Sequence, residues 1–129
     1  MILDTSFVVD LMDRQLDAVN KFWAIQGEEN LFVTTPTIFE LWSGIARSSR
    51  PEREKRKVLE ILDSQLILEL DEESAEEGGK IDGILAREGL QIEPEDCMIA
   101  GIAKHHQEKV LTRNVKHFSK IKGLSALSY

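Results

Sequence analysis

The sequence has little of what several classes of protein depend on. It has one cysteine, Cys97, which excludes an intramolecular disulfide and a cysteine-rich zinc site. Only 8 of its 129 residues are glycine and 3 are proline, which excludes collagen-like and low-complexity chains. No apolar run reaches the length of about 18 residues that a membrane span needs, and no signal peptide is apparent at the start. We therefore expect a cytoplasmic globular protein that does not associate with membranes.

The chain also lacks the net positive charge that is typical of proteins that bind nucleic acid by bulk attraction. Its formal net charge is -7. The charge is unevenly distributed, because residues 71–77 carry five acids whereas residues 47–57 carry six Lys or Arg against two acids. Residues 104–122 carry six Lys or Arg against one acid. These stretches are either solvated helix faces or local contacts for a polyanion.

Short apolar segments alternate with amphipathic helices along the whole chain. One of the helices is expected to turn Ile81, Ile84 and Leu85 inward. Because helical crossovers connect parallel strands, the alternation predicts an α/β fold, a single domain over residues 1–129 with a central parallel sheet covered on both faces. The candidate strands are residues 1–3, 31–34, 65–70 and 110–112, with a fifth near 124–128.

Three acids and an amide are expected at one edge of this sheet. Asp4 follows the first strand directly, and Asn114 comes just after the fourth. Glu40 lies one turn into the helix after the second strand, and Asp96 lies in the first turn of the helix that precedes the fourth. Ligands of open parallel sheets bind beyond the carboxyl ends of the strands. Clustered carboxylates repel one another unless a cation is present, and oxygen ligands suit Mg²⁺ and Mn²⁺, so the pattern predicts a metal site.

Most of these residues also have a purely structural interpretation. Asp4 and Asn114 are suitable N-caps for the helices that follow them, and Asp96 is a favourable acid at a helix start. Glu40 is harder to explain in this way, because Phe39 and Leu41 flank it and a carboxylate among apolar neighbours needs a partner or a metal.

The histidines do not suggest a second metal site. His105 and His106 are adjacent, so on a helix their side chains point about 100° apart and cannot both ligate one ion. His117 is expected to cap a helix or to pack. The sequence contains no phosphate-binding loop and no glycine-rich dinucleotide motif.

Four segments of the chain, in this order, resemble the PIN-domain ribonucleases. The resemblance is closest to the VapC-type toxins of toxin–antitoxin pairs and extends over nearly the whole chain. The segments are LDTS (3–6), TTPTIFELWSGI (34–45), IEPEDCMIAGIAKHH (92–106) and VLTRNVKHFSKIKGL (110–124). The resemblance implies a three-layer α/β/α sandwich and an endoribonuclease that depends on Mg²⁺ or Mn²⁺. It also implies an RNA substrate, inhibition by a cognate antitoxin protein, and a homodimer, for which the early helices offer apolar surface.

The resemblance also implies roles for individual residues. Asp4, Glu40 and Asp96 match the family's three acids and are the implied metal ligands and catalytic residues. Glu95 is the alternative to Asp96, which we prefer because Ile99-Ala100 follows it as in the family. Four further polar residues would contact phosphate or water near the metal: Thr5, Ser6, Thr112 and Asn114.

Arg113 is the best single candidate for a contact with the RNA backbone, because it directly follows the fourth strand and a guanidinium can bind phosphate bidentately. The alternative is that Arg113 pairs with a nearby acid and supports the site. Arg47, Arg50 and Arg53 are expected to extend the phosphate track.

Two other functions are compatible with an acidic α/β protein. A receiver-type signalling domain binds Mg²⁺ but needs an acid pair after the first strand, where this chain has only Asp4, and a late lysine that is missing here. The second alternative is a PIN fold that binds protein or RNA without cutting RNA. The presence of all three acids, Asp4, Glu40 and Asp96, is evidence against it.

Overall fold

A computed structural model describes residues 1–129, in which five short strands form one parallel sheet. The strands are β1 (Ile2–Leu3), β2 (Phe32–Thr34), β3 (Leu66–Leu68), β4 (Val110–Leu111) and β5 (Ala126–Leu127). Their order across the sheet is β3-β2-β1-β4-β5. The helices are α1 (Thr5–Met12), α2 (Leu16–Ile25), α3 (Thr35–Arg47), α4 (Pro51–Asp63), α5 (Glu72–Arg87), α6 (Pro94–His106) and α7 (Val115–Phe118). The predicted parallel α/β architecture is confirmed. None of the seven helices combines the length and the apolar character that a bilayer span requires.

The sheet separates two hydrophobic cores. Neighbouring residues of a strand point to opposite faces, so Ile2 lies in one core and Leu3 in the other. Residues of α1 to α4 fill the Leu3 side, and residues of α5, α6 and α7 fill the Ile2 side. Helices on both faces of the sheet make the three-layer sandwich that the resemblance implied.

The buried stripe of α5 is narrower than predicted. Ile81 and Leu85 are buried as expected, but Ile84 is 47% exposed. Residues four apart lie on one face of a helix, and α5 makes its main contacts with α6 alone, so one such stripe is enough to cover it. The inward orientation predicted for Ile84 was wrong.

Two glycines allow α5 and α6 to pack with their backbones in close contact. A Cβ on Gly101 of α6 would lie 2.4 Å from the carbonyl oxygen of Ser74 in α5, and a Cβ on Gly78 would lie 2.9 Å from the carbonyl oxygen of Cys97. Neither position has room for a side chain. This contact holds α6 against α5, and α6 carries Asp96 in its first turn.

Candidate metal centre

The strand ends and helix starts of the fold bring the three predicted acids to one edge of the sheet. Asp4 is the residue between β1 and α1 and is the N-cap of α1. Thr34 at the end of β2 caps α3 through its hydroxyl, with Pro36 in the first turn, and this helix carries Glu40. Asp96 lies in the first turn of α6, which leads into β4. Since β1 lies between β2 and β4, these elements converge around Asp4.

Asp4 is almost fully buried, with 2% of its surface exposed. Its Oδ2 atom accepts hydrogen bonds from the hydroxyls of Ser6 (2.7 Å) and Thr112 (2.8 Å), and a longer one from the Ser6 amide (3.4 Å). Its Oδ1 atom is buried and has no hydrogen-bond partner. Capping of α1 is therefore only part of what this carboxylate does, because a buried oxygen without a partner is costly.

Glu40 finds a partner in Thr5, whose hydroxyl donates a 2.8 Å hydrogen bond to Oε1. The neighbouring Phe39 is 66% exposed, so Glu40 lies at the rim of a cleft rather than among packed apolar groups. Burial raises the pKa of Glu40, and the charges of Asp4 and Asp96 raise it further, whereas the Thr5 hydrogen bond lowers it. Asp4 and Asp96 are thus close enough to Glu40 for their charges to oppose its ionisation.

Asp96 shows the same opposition. Burial raises the pKa of Asp96, the charge of Asp4 raises it further, and a contact with His117 lowers it. The Nδ1 atom of His117 lies 3.2 Å from Asp96 Oδ2. Glu95, the alternative acid at this position, also lines the cleft and contributes to the raised pKa of Glu40.

One cleft of about 450 Å³ is shared by most of these groups. Glu40, Asp96, Asn114, His117 and Arg47 all line it. Thr112 is buried next to it, where its hydroxyl donates to Asp4 and accepts from the backbone amide of Asn114 (2.9 Å). Asn114 is the N-cap residue of α7, but its side chain makes no capping hydrogen bond. The amide is therefore available to the cleft.

Arg113 does not line the acidic cleft. Its Nη1 atom pairs with Oδ1 of Asp10, and the hydroxyl of Tyr129 donates to the other oxygen of the same carboxylate. The backbone amide of Arg113 donates to Ser6 Oγ (3.1 Å), and Ser6 in turn donates to Asp4. This is the arrangement expected if Arg113 supports the site, although 57% of its side chain is exposed and its contact with RNA stays a prediction.

Sequence reasoning missed His117, which was expected to cap or to pack. The signal was its spacing, because His117 follows Asn114 by three residues, and residues three apart share a helix face.

His105 does not line the acidic cleft. It forms an exposed group with Asp71 and Glu73, whose ligand atoms lie within 4.8 Å of one another. His105 is in the last turn of α6 and Asp96 in the first, which places them about 13 Å apart along the axis. The exposed group is therefore separate from the cleft.

The donor set around the cleft suits a hard divalent cation. Its oxygen donors are carboxylates, hydroxyls and a carboxamide, its one imidazole belongs to His117, and no Cys or Met lines the cleft. A cation near Asp4 Oδ1 would satisfy the buried oxygen and would remove the repulsion that raises the pKa values of Glu40 and Asp96. The residues present therefore fit Mg²⁺ or Mn²⁺.

Comparison with known proteins places the chain in a family. A PIN domain matches residues 1–124. The chain is 34% identical over 92 residues to a tRNA(fMet)-specific endonuclease VapC of Salmonella typhimurium, covering 71% of this chain and 70% of the relative. It is 28% identical to the enzyme of the same name from Shigella flexneri, covering 95% and 92%. A structure of DNA-bound VapBC from Salmonella typhimurium superposes with a TM-score of 0.89 at 27% identity, covering 98% of this chain and 96% of that one. The chain therefore belongs to the PIN-domain family, among its VapC-type ribonucleases.

Proposed function

We propose that the chain is a Mg²⁺- or Mn²⁺-dependent endoribonuclease that cuts RNA at the cleft of Asp4, Glu40 and Asp96. The observation that carries the proposal is the buried, unpartnered Oδ1 atom of Asp4 beside two carboxylates whose pKa values are raised. A structural cap alone does not account for this combination. A receiver domain is not favoured, because the chain is a PIN domain, and a non-catalytic PIN module has no need of three converging acids.

Different residues of the chain would ligate the ion, orient its ligands and contact the RNA. Asp4 and Asp96 would ligate the metal, and Glu40 would ligate it or orient its water. Ser6 and Thr112 fix the orientation of Asp4, and Thr5 fixes that of Glu40. Asn114 carries no charge and lines the cleft, where its amide would contact water or phosphate. A bound divalent cation lowers the pKa of water and offsets the negative charge of the phosphate.

The substrate class is RNA, and we propose tRNA in the cytoplasm as the first target to test, because two relatives are named for tRNA(fMet). The test is cleavage of purified tRNA by the chain with Mg²⁺ or Mn²⁺, with the products mapped by primer extension. We expect EDTA to stop cleavage and added Mn²⁺ to restore it. Metal-independent cleavage, or none with any RNA, would contradict the proposal.

We propose Arg47 as a phosphate contact within the cleft. Arg47 and Glu40 are both on α3, seven residues or two turns apart, and both line the cleft. Arg47 is exposed and makes no ion pair, whereas Arg113 is held by Asp10. The acidic chain thus offers RNA an unpaired guanidinium in the same cleft as Glu40 and Asp96.

Arg47→Ala is expected to weaken RNA binding and to reduce the slope of log K against log salt by about 0.7 to 0.9, the value of one phosphate contact. Binding would be measured by fluorescence anisotropy at several salt concentrations, in an Asp4→Asn background that does not cut. Arg113→Ala is the matched comparison; because Arg113 is held by Asp10, it is expected to lower the melting temperature and to change the slope less than Arg47→Ala does. The assignment is wrong if Arg113→Ala changes the slope and Arg47→Ala does not.

An antitoxin partner is supported by the resemblance to the VapBC structure from Salmonella typhimurium. We propose that it binds an apolar groove of about 660 Å³ between α1, α2 and α4, where Leu16 is 70% and Trp23 is 69% exposed. A second recess shares Met12 with this groove and shares Thr5 and Glu40 with the acidic site. A partner in the groove can therefore extend to the acids and block them.

Trp23→Glu is expected to weaken antitoxin binding at least tenfold, because an exposed aromatic side chain that the partner would bury is replaced by a charge. RNA cleavage by the free chain should not change, since Trp23 does not line the acidic cleft. Leu90→Glu changes another exposed apolar residue and serves as the control. Isothermal titration with the antitoxin checks the result, and unchanged affinity of the Trp23 variant would exclude this groove.

The homodimer stays a prediction. We propose Phe39 and Met98, which line a recess of about 320 Å³, as its apolar contact surface. Sedimentation equilibrium of the purified chain and of Phe39→Glu tests this, and a parent chain that remains monomeric would contradict it.

A further inference from the structure

The three acids share a pattern in how their oxygens are used. Thr5 donates to Oε1 of Glu40, and Ser6 and Thr112 donate to Oδ2 of Asp4. The second oxygen of each carboxylate receives no hydrogen bond. One oxygen of each carboxylate is held by hydroxyl donors, and the other is left without a protein partner.

Asp96 follows the same pattern, but its partner is a histidine. Its Oδ2 atom lies 3.2 Å from Nδ1 of His117, and its Oδ1 atom has no partner. The Asp96 side chain is 15% exposed and that of His117 is 44% exposed, so the histidine lies at the mouth of the cleft over the carboxylate. An ionised carboxylate only accepts hydrogen bonds, so Nδ1 is the donor whenever Asp96 is ionised, as a metal ligand must be.

We infer that His117 is a positioning residue that fixes the orientation of Asp96, so that Oδ1 faces the metal. The inference rests on the proposed metal-dependent function. Rotation about the last bond of an aspartate side chain is only weakly restricted, so a free Asp96 would sample orientations that do not ligate. Hydrogen bonds from neighbouring groups to metal ligands affect affinity by about 10- to 100-fold in other metal sites.

Three substitutions of His117 test whether the hydrogen bond from Nδ1 to Asp96 is what supports metal binding. The amide nitrogen of Asn occupies nearly the position of histidine Nδ1, whereas that of Gln reaches the position of Nε2. His117→Asn therefore keeps the donor to Asp96 without the possibility of a positive charge, and His117→Gln displaces the donor. His117→Ala removes it. His106→Ala, in the exposed last turn of α6, is the control for loss of a histidine elsewhere.

In the experiment, Mn²⁺ is titrated into each metal-free variant. Binding is measured by calorimetry and by the electron paramagnetic resonance signal of free Mn²⁺. We expect His117→Ala and His117→Gln to weaken Mn²⁺ binding about tenfold. The Mn²⁺ affinities of His117→Asn and His106→Ala should stay within about twofold of the parent affinity. Parent-like binding by His117→Ala, or equal weakening by His117→Asn and His117→Ala, would overturn the inference. A parent chain that binds Mn²⁺ but cuts no RNA would overturn the proposed function alone, and one that binds no Mn²⁺ would overturn both.

Discussion

Asp4→Asn is expected to reduce RNA cleavage by about 10³-fold or more, equivalent to roughly 4 kcal/mol of activation free energy, while the protein stays folded. Asn keeps one oxygen that can accept from the Ser6 and Thr112 hydroxyls, and it is as good an N-cap as Asp. It places an amide where the unpartnered oxygen of Asp4 now lies, and an amide nitrogen cannot ligate a cation. The charge of Asp4 also raises the pKa values of Glu40 and Asp96, so its removal relieves repulsion.

The metal-free variant should therefore melt at the same temperature as the parent or slightly above it. Initial rates on tRNA with Mn²⁺ measure the loss of cleavage, and thermal melting without metal measures the change in stability. Asp71→Asn provides a matched control, because Asp71 is also an N-cap whose side chain accepts from a backbone amide, but it lies at the start of α5 away from the cleft. An Asp4→Asn protein that cuts at the parent rate would rule out the mechanism.

Gly101→Ala is expected to lower the free energy of unfolding by about 2–3 kcal/mol and the melting temperature by about 10 °C. The added Cβ would lie 2.4 Å from Ser74 O, 2.6 Å from Gly78 N and 2.8 Å from Gly78 Cα. All three are backbone atoms of α5, which cannot move aside as a flexible side chain can, so the two helices must separate. The better helix propensity of alanine offsets only up to about 1 kcal/mol of this cost.

Gly83→Ala on α5 tests whether the loss comes from the helix contact. A Cβ at Gly83 meets nothing within 4 Å, so this substitution should stabilise the protein by up to about 1 kcal/mol. Denaturant unfolding of both variants measures the difference. Because α6 carries Asp96, Gly101→Ala should also weaken Mn²⁺ binding, whereas Gly83→Ala should not. Equal stability of the two variants would show that the helix pair adjusts without strain.

The convergence of Asp4, Glu40 and Asp96 was predictable because it follows from topology. A residue that ends a parallel strand, or lies in the first turns of a helix beside it, must lie at the carboxyl edge of the sheet. The local signals for these elements are strong, such as the Thr-Pro start of α3 and the acids in the first turn of α6. The partners of the acids were less accessible to sequence reasoning, since Thr5 and Glu40 are 35 residues apart and nothing in either segment marks the other.

The sequence by itself determined the alternation of strands and helices, the parallel sheet, and the edge at which the acids meet. These features depend on hydrophobic periodicity and on caps, which act over a few residues. The tertiary structure alone decided that Arg113 pairs with Asp10, which is 103 residues away, and that His117 contacts Asp96. It also decided that Asp4 keeps one free oxygen while Thr112, 108 residues away, holds the other. Such contacts depend on the side-chain directions of elements that meet only after the sheet has formed, and a difference of a few ångströms in packing separates a metal ligand from an ion-pair partner.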